Sequence, residues 1–120
     1  MLNLEDVREY CLKKKGVTEE FPFDSETLVF KVSGKVFLLT GLSSSPFRFN
    51  VKMDPGLIPA YRDKYPDVQP GYHMNKNHWN TVNATNKISK KELLWMIDHS
   101  YEMVIKGLTK KDREKLNRST

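Results

Sequence analysis

The chain has 120 residues, 38% hydrophobic and 29% charged, with a net charge of +5 at neutral pH. That length is one domain able to bury a core without cross-links, and the composition excludes a disordered chain. The single cysteine, Cys11, excludes an internal disulfide, and no apolar run approaches the roughly 20 residues of a membrane span.

Asn3 to Lys15 predicts a helix. Asn3 caps it, Glu5 and Asp6 occupy the first turn, and Lys13-Lys14-Lys15 then Gly16 close it. Leu4, Val7, Tyr10 and Cys11 form its apolar stripe, and the lysine run reads as a solvated complement to the helix dipole. Glu19 to Phe23 predicts a short edge strand, because Pro22 is awkward in a central one. Thr27 to Val32 and Lys35 to Thr40 are strands joined by the two-residue hairpin loop Ser33-Gly34. Pairing through that loop sets Phe30 opposite Phe37 and Leu28 opposite Leu39 as one apolar face. Val29, Lys31, Val36 and Leu38 form the other.

Phe47 to Met53 alternates cleanly, with Phe47, Phe49, Val51 and Met53 one way and Arg48, Asn50 and Lys52 the other. Phe49 and Val51 are expected on the face of Phe37 and Leu39, which leaves Lys31, Arg48, Asn50 and Lys52 on the opposite, open face. Asp54 and Pro55 predict the start of a helix running to about Tyr65. Trp79 to Ala84 predicts a further strand. Ser89 and Glu92 form a capping box for a helix to about Lys106, with Leu93, Ile97, Tyr101 and Val104 inward. Thr109 caps a last helix to about Leu116. The expected architecture is α+β: a single domain over residues 1–120, an antiparallel sheet flanked by helices.

Catalytic and metal motifs are not evident. His73 and His78 lie five apart, a poor spacing for metal ligands on a helix, so neither a metal site nor a cofactor is expected. Cys11 falls on an apolar stripe and reads as packing. Gly-x-Ser-x-Gly and a Gly-rich phosphate loop are both missing, and the carboxylates are scattered, so the chain is not expected to be an enzyme. The opening Met-Leu-Asn-Leu-Glu-Asp does not resemble a secretory signal, which points to a reducing, cytoplasmic location with no membrane association. The glycosylation-like triplets at Asn83 and Asn117 are accordingly read as chance.

The remaining signal is basic residues interleaved with aromatics. Pro70 to Trp79 packs two His, a Lys, two Asn, a Tyr and a Trp behind a Pro-Gly turn. Lys31, Lys35, Arg48, Lys52 and Lys76 are candidates for phosphate contacts, and Tyr72, His73 and Asn75 for bases or sugar. The leading expectation is a non-catalytic protein that binds nucleic acid, DNA in particular. The alternatives are a pocket for a planar small molecule, marked by a concave and mostly apolar shape, and a protein-interaction module, marked by an exposed apolar patch. Trp79 itself is expected to be mostly buried at a strand start, with Lys76 reaching solvent. Trp95 lies opposite the buried stripe of its helix, so it should be exposed. That makes it a candidate contact for a second subunit, for the folded-back C-terminal segment or for a ligand.

Phe23 in Phe-Pro-Phe, Phe30-Lys31-Val32 with Gly34-Lys35 and Phe37, and Lys52 with Asp54-Pro55 also follow a recognisable order. Tyr65-Pro66, the Pro70 to Trp79 segment and Ser100-Tyr101 continue it. In these pieces, most specifically in Gly71-Tyr72-His73-Met74-Asn75-Lys76 followed by His78-Trp79, the chain resembles the MmcQ/YjbR family of small bacterial proteins. The resemblance implies a single domain described as a double-wing arrangement, with a proposed DNA-binding role and a name associated with a mitomycin resistance gene cluster. It implies a fold more directly than an activity.

Overall fold

A computed structural model of the chain describes residues 2–71 and 74–118. Helix α1 (Leu4–Leu12) opens on a reciprocal cap. Asn3 Oδ1 accepts the Asp6 N–H at 2.8 Å, and the Asp6 carboxylate accepts the Asn3 N–H at 3.2 Å. Val7 and Cys11 are buried on its inner face. The helix ends before the lysine run rather than through it. Lys14 is not simply solvated: it forms an ion pair with Asp98, and its ammonium lies 4.8 Å from the Tyr10 ring centre. Gly16, at φ +72°, then turns the chain into β1 (Val17–Glu20). The strand stops short of the expected Phe23 because Pro22 cannot extend it.

The other strands are β2 (Thr27–Val32), β3 (Lys35–Gly41), β4 (Arg48–Lys52), β5 (Val68–Pro70) and β6 (Trp79–Asn83). With β1 they form one sheet in the order β1-β2-β3-β4-β6-β5, and every neighbouring pair is antiparallel. β5 was not expected: three residues are too few for a readable alternation, and Pro70 is tolerated because the strand lies at the edge. Ser33 (φ 50°) and Gly34 (φ 76°) form the expected tight turn.

The hairpin register departs from expectation after its first two pairs. Val32 pairs with Lys35 and Lys31 with Val36, but Phe37 is then an extra residue, so Phe30 pairs with Leu38, Val29 with Leu39 and Leu28 with Thr40. This is a β-bulge. Phe37 and the next residue, Leu38, are both fully buried on the core side, where the Phe37 ring meets Tyr101 edge-on at 5.4 Å. Leu39 moves to the opposite face, and Leu38 takes the place assigned to it. Because Leu38 pairs with Val51 and Leu39 with Asn50, β4 sends Phe49 and Val51 to the core and keeps Arg48, Asn50 and Lys52 outside, as expected.

Helix α2 (Ile58–Lys64) begins later than Pro55. Asp54 makes a turn instead, accepting the Gly56 N–H on Oδ1 and the Leu57 N–H on its carbonyl, both at 2.8 Å. Pro59 then occupies the helix's first turn. Helix α3 (Lys90–Lys106) is capped by Ser89, whose Oγ accepts the Glu92 N–H at 3.1 Å. The second half of the expected box does not form, since the Glu92 carboxylate accepts the Tyr61 hydroxyl at 2.8 Å. Helix α4 (Lys110–Arg118) starts at Thr109 and presses Leu116 against Gly16. Among the described residues, α3 packs on β2, β3 and β4, α1 on β1 and α2 on β5, on the sheet face that carries Phe30, Leu38, Phe49, Val51 and Val82, and no helix lies on the other face. This is a single α+β domain. Among the described residues, no helix is long and apolar enough to cross a membrane.

Candidate functional site

Cross-strand pairing arranges the helix-free face in rows. Lys31 stands beside Val36 and Lys52 beside Trp79. In the next row Val29, Leu39, Asn50, Thr81 and Gln69 follow one another across five strands. Thr27 and Gly41 pair further along, as do Arg48 and Asn83. The face is hollowed into a basin of about 610 Å³, floored by Val36, Leu39, Asn50, Thr81 and Trp79 and edged by Phe23, Arg48 and Met74.

Two loops build the walls. Phe23, 72% exposed, is held by an Asp24 turn whose Oδ1 accepts the N–H groups of Glu26 (2.8 Å) and Thr27 (2.7 Å). Those bonds favour the Asp24 carboxylate and lower its pKa. The opposite wall is the turn leading into β6. Asn75 Oδ1 accepts the Asn77 N–H at 2.9 Å, and the Asn75 carbonyl accepts the Trp79 N–H at 2.9 Å. Arg62 of α2 clamps this turn from the core side. Its Nε donates to Asn80 Oδ1 at 2.9 Å and its Nη2 to the carbonyls of Lys76 (2.6 Å) and Trp79 (3.1 Å). Gly71 lets the chain close: a Cβ there would stand 2.9 Å from Trp79 Cβ and 3.1 Å from the Trp79 carbonyl oxygen.

Trp79 is therefore not the core residue expected. It is half-buried on the open face, while Asn80, Val82 and Ala84 point inward. Alternation carried the signal, because Trp79 is an odd number of positions from Val82 and must face the other way. The buried polar Asn80, satisfied by Arg62 and by a bond to Met53 Sδ at 3.3 Å, obscured it.

The sequence candidates divide. Arg48 and Lys52 share the open face of β4. Lys31 is on the same face but forms an ion pair with Glu20 at 3.5 Å. Lys35 and Lys76 are exposed at the margins, and Asn75 uses its side-chain oxygen within the turn. Tyr72 and His73 lie outside the described residues. Among the described residues Arg48, Lys35, Lys52 and Lys76 have no ion-pair partner. Val36, Leu39, Phe23, Met74, Thr81 and Arg62 were not singled out as site residues, since only the folded sheet brings them together.

Comparison with known proteins gives a consistent relationship. The YjbR family model matches residues 12–103, from the end of α1 through most of α3. The chain belongs to the YjbR family. The YjbR-family relatives include the uncharacterised protein YbdF of Escherichia coli O157:H7, 40% identical over 113 residues that cover 93% of this chain and 92% of that one. The uncharacterised protein YjbR of Escherichia coli K12 is 24% identical over 96% of this chain and 98% of its own. A crystal structure of a Deinococcus radiodurans protein with a DUF419 domain superposes with a TM-score of 0.92 at 36% identity, covering 98% of this chain and 89% of that one. A Pseudomonas syringae protein gives 0.72 at 27% identity over 85% and 98%.

Elsewhere in this YjbR-family protein two titratable groups are shifted by burial. Burial pushes the Cys11 thiol up to about 12, so it is a poor nucleophile. Burial, with the Asp98 hydrogen bond, likewise pushes the Tyr10 hydroxyl to about 12. Among the described residues no group of three His, Cys, Asp or Glu is placed to hold a metal ion. Trp95 is 40% exposed, as its helix position predicts. It stacks between Tyr61 (5.6 Å) and His99 (4.8 Å), so α2 supplies a cover that the helical wheel could not reveal.

Proposed function

We propose that this member of the YjbR family is a non-catalytic, cytoplasmic binding protein that takes a flat aromatic group into the basin of its open sheet face. The observation that carries this reading is the basin itself. Trp79 and Leu39 supply apolar surface, and Arg48, Asn50 and Thr81 supply a few convergent polar groups within about 610 Å³. Small-molecule sites combine those features, whereas a surface that tracks a nucleic-acid backbone is open and continuously positive.

Nucleic-acid binding is the second reading, favoured by the net charge of +5 and by Lys35, Lys52 and Lys76, which have no ion-pair partner among the described residues. Those lysines, with Lys31 and Arg48, would hold phosphates while a base stacks on Trp79. One titration separates the two. In Trp95→Phe protein, Trp79 is the one remaining tryptophan. Free nucleosides quenching its fluorescence without salt dependence support the first reading. Quenching by single- or double-stranded oligonucleotides that weakens as salt rises supports the second. An unchanged Trp79 signal with every probe removes both.

Self-association through the exposed edge of Trp95 is a separate proposal. Sedimentation of wild type against Trp95→Ala tests it, and monomer masses for both at all concentrations would end it.

A further inference from the structure

The open face carries a second hollow beside the first, and the two share Arg48 and Thr81. The second holds about 620 Å³ and is walled by Pro46, Gln69, Pro70 and Asn83. The register explains the composition: Arg48 pairs with Asn83 and Gln69 with Thr81, so both amides stand on the helix-free face. One hollow is thus mainly apolar and the other is edged by amides. Among the described lining residues neither contains a carboxylate, and Arg48 is the one formal charge in either.

Other clefts of the molecule differ. The cleft below Phe21 sets Arg8 against Glu5 and Glu19, with Arg8 Nη2 2.7 Å from Glu19. The cleft at Leu116 holds Asp112 with Lys115, and the one beside α1 holds Asp6 and Glu9 with Lys13 and Lys90. Acids oppose bases in each. An unopposed guanidinium between an apolar hollow and an amide-edged one selects a ligand with an anionic centre, a flat apolar end and a hydroxylated end. Amide groups both donate and accept, which suits hydroxyls. Trp79 is four residues along β6 from the Asn83 that pairs with Arg48, roughly 13 Å at the rise of a strand. A ligand that touches both is therefore elongated.

We propose that the two hollows form one site for a nucleoside phosphate esterified to a polar tail. The base stacks on Trp79 and Leu39, the phosphoryl group meets Arg48, and the tail hydroxyls meet Gln69 and Asn83. This rests on the basin being a ligand site and adds the ligand's chemical class.

The test compares the four common ribonucleosides, their 5′-monophosphates and the corresponding nucleoside diphosphate sugars, read by Trp79 quenching in the Trp95→Phe background. At least one monophosphate should bind about tenfold tighter than its nucleoside, the increment of a charge-assisted hydrogen bond. In Arg48→Gln that gain should vanish while the nucleoside affinity stays. The sugar-bearing form should gain further, and Gln69→Ala should remove only that increment. Equal binding of nucleoside and monophosphate, or an equal loss of both in Arg48→Gln, would overturn this inference and leave the basin standing. No quenching by any member would overturn the basin reading as well. Unchanged thermal unfolding of Arg48→Gln and Gln69→Ala confirms that the comparison is made on folded protein.

Discussion

Ser100 Oγ lies 2.8 Å from the backbone nitrogen of Lys52 and accepts its N–H. The same hydroxyl donates to the Phe37 carbonyl oxygen at 2.5 Å, from a fully buried position. Pairing of β3 with β4 covers Leu38 and Leu39 but not the bulged Phe37, and there a helix side chain takes over a polar group of each strand. Ser100→Ala leaves a buried donor and a buried acceptor unpaired. It should cost about 1–3 kcal/mol for each group that finds no substitute partner. Urea unfolding of the variant measures it, and a neutral result would mean that the strands re-pair without help.

The bulge also separates two adjacent leucines. Leu38 is fully buried in the core, whereas Leu39 is half-buried in the basin. Leu38→Ala should lose about 2–5 kcal/mol, the range of core truncations, and Leu39→Ala clearly less. Equal losses by denaturant titration would contradict the register. Leu39→Ala should instead weaken any ligand that quenches Trp79.

Arg62→Lys keeps the charge but loses the planar fork that reaches Asn80, Lys76 and Trp79 together. Burial already lowers the Arg62 pKa, a sign that this guanidinium is partly desolvated. We expect a loss of about 1–3 kcal/mol as carbonyls lose their donors, and a shifted Trp79 indole resonance. A spectrum that superposes on wild type at the Trp79 turn would show that Arg62 does not shape it.

His99 gives the stability a pH dependence of known sign. Its Nε2 accepts the Asp54 N–H at 3.1 Å, which requires the neutral ring. Burial lowers its pKa, Asp54 opposes the shift and Lys106 adds to it. The unfolded chain therefore takes up the proton first. The stabilisation is complete above the unfolded value of about 6.5 and is lost as pH falls through the lower folded value. The gap in stability between wild type and His99→Gln should narrow from pH 7.5 to pH 5. A constant gap would remove His99 from the account.

Trp79→Ala should cost less than the roughly 3–5 kcal/mol of a fully buried tryptophan, because its side chain is only partly buried and lines the basin. Calorimetric unfolding gives the cost. A loss at the top of that range would mean that the side chain belongs to the core.

What the sequence determined by itself is local. The Asn3 cap, the Ser33-Gly34 turn, the alternation from Phe47 to Met53, the Ser89 cap and the outward position of Trp95 all follow from neighbours within one turn or one strand. Periods of 2 and 3.6 residues report those directly. The order of short motifs carried the family resemblance for a similar reason: it too is written along the chain. Tertiary structure decided the rest. The bulge that exchanges Leu38 and Leu39 is held by Ser100, 63 residues from Phe37. The burial of polar Asn80, next to Trp79, depends on Arg62 reaching it from another element. The cover on Trp95 comes from Tyr61 of another helix, and Lys14 leaves solvent for Asp98, 84 residues away. Each of these is a polar or aromatic pairing made only when distant segments meet. No periodicity records it, and because the side-chain period of a strand is 2, one inserted residue is enough to turn a leucine from core to site.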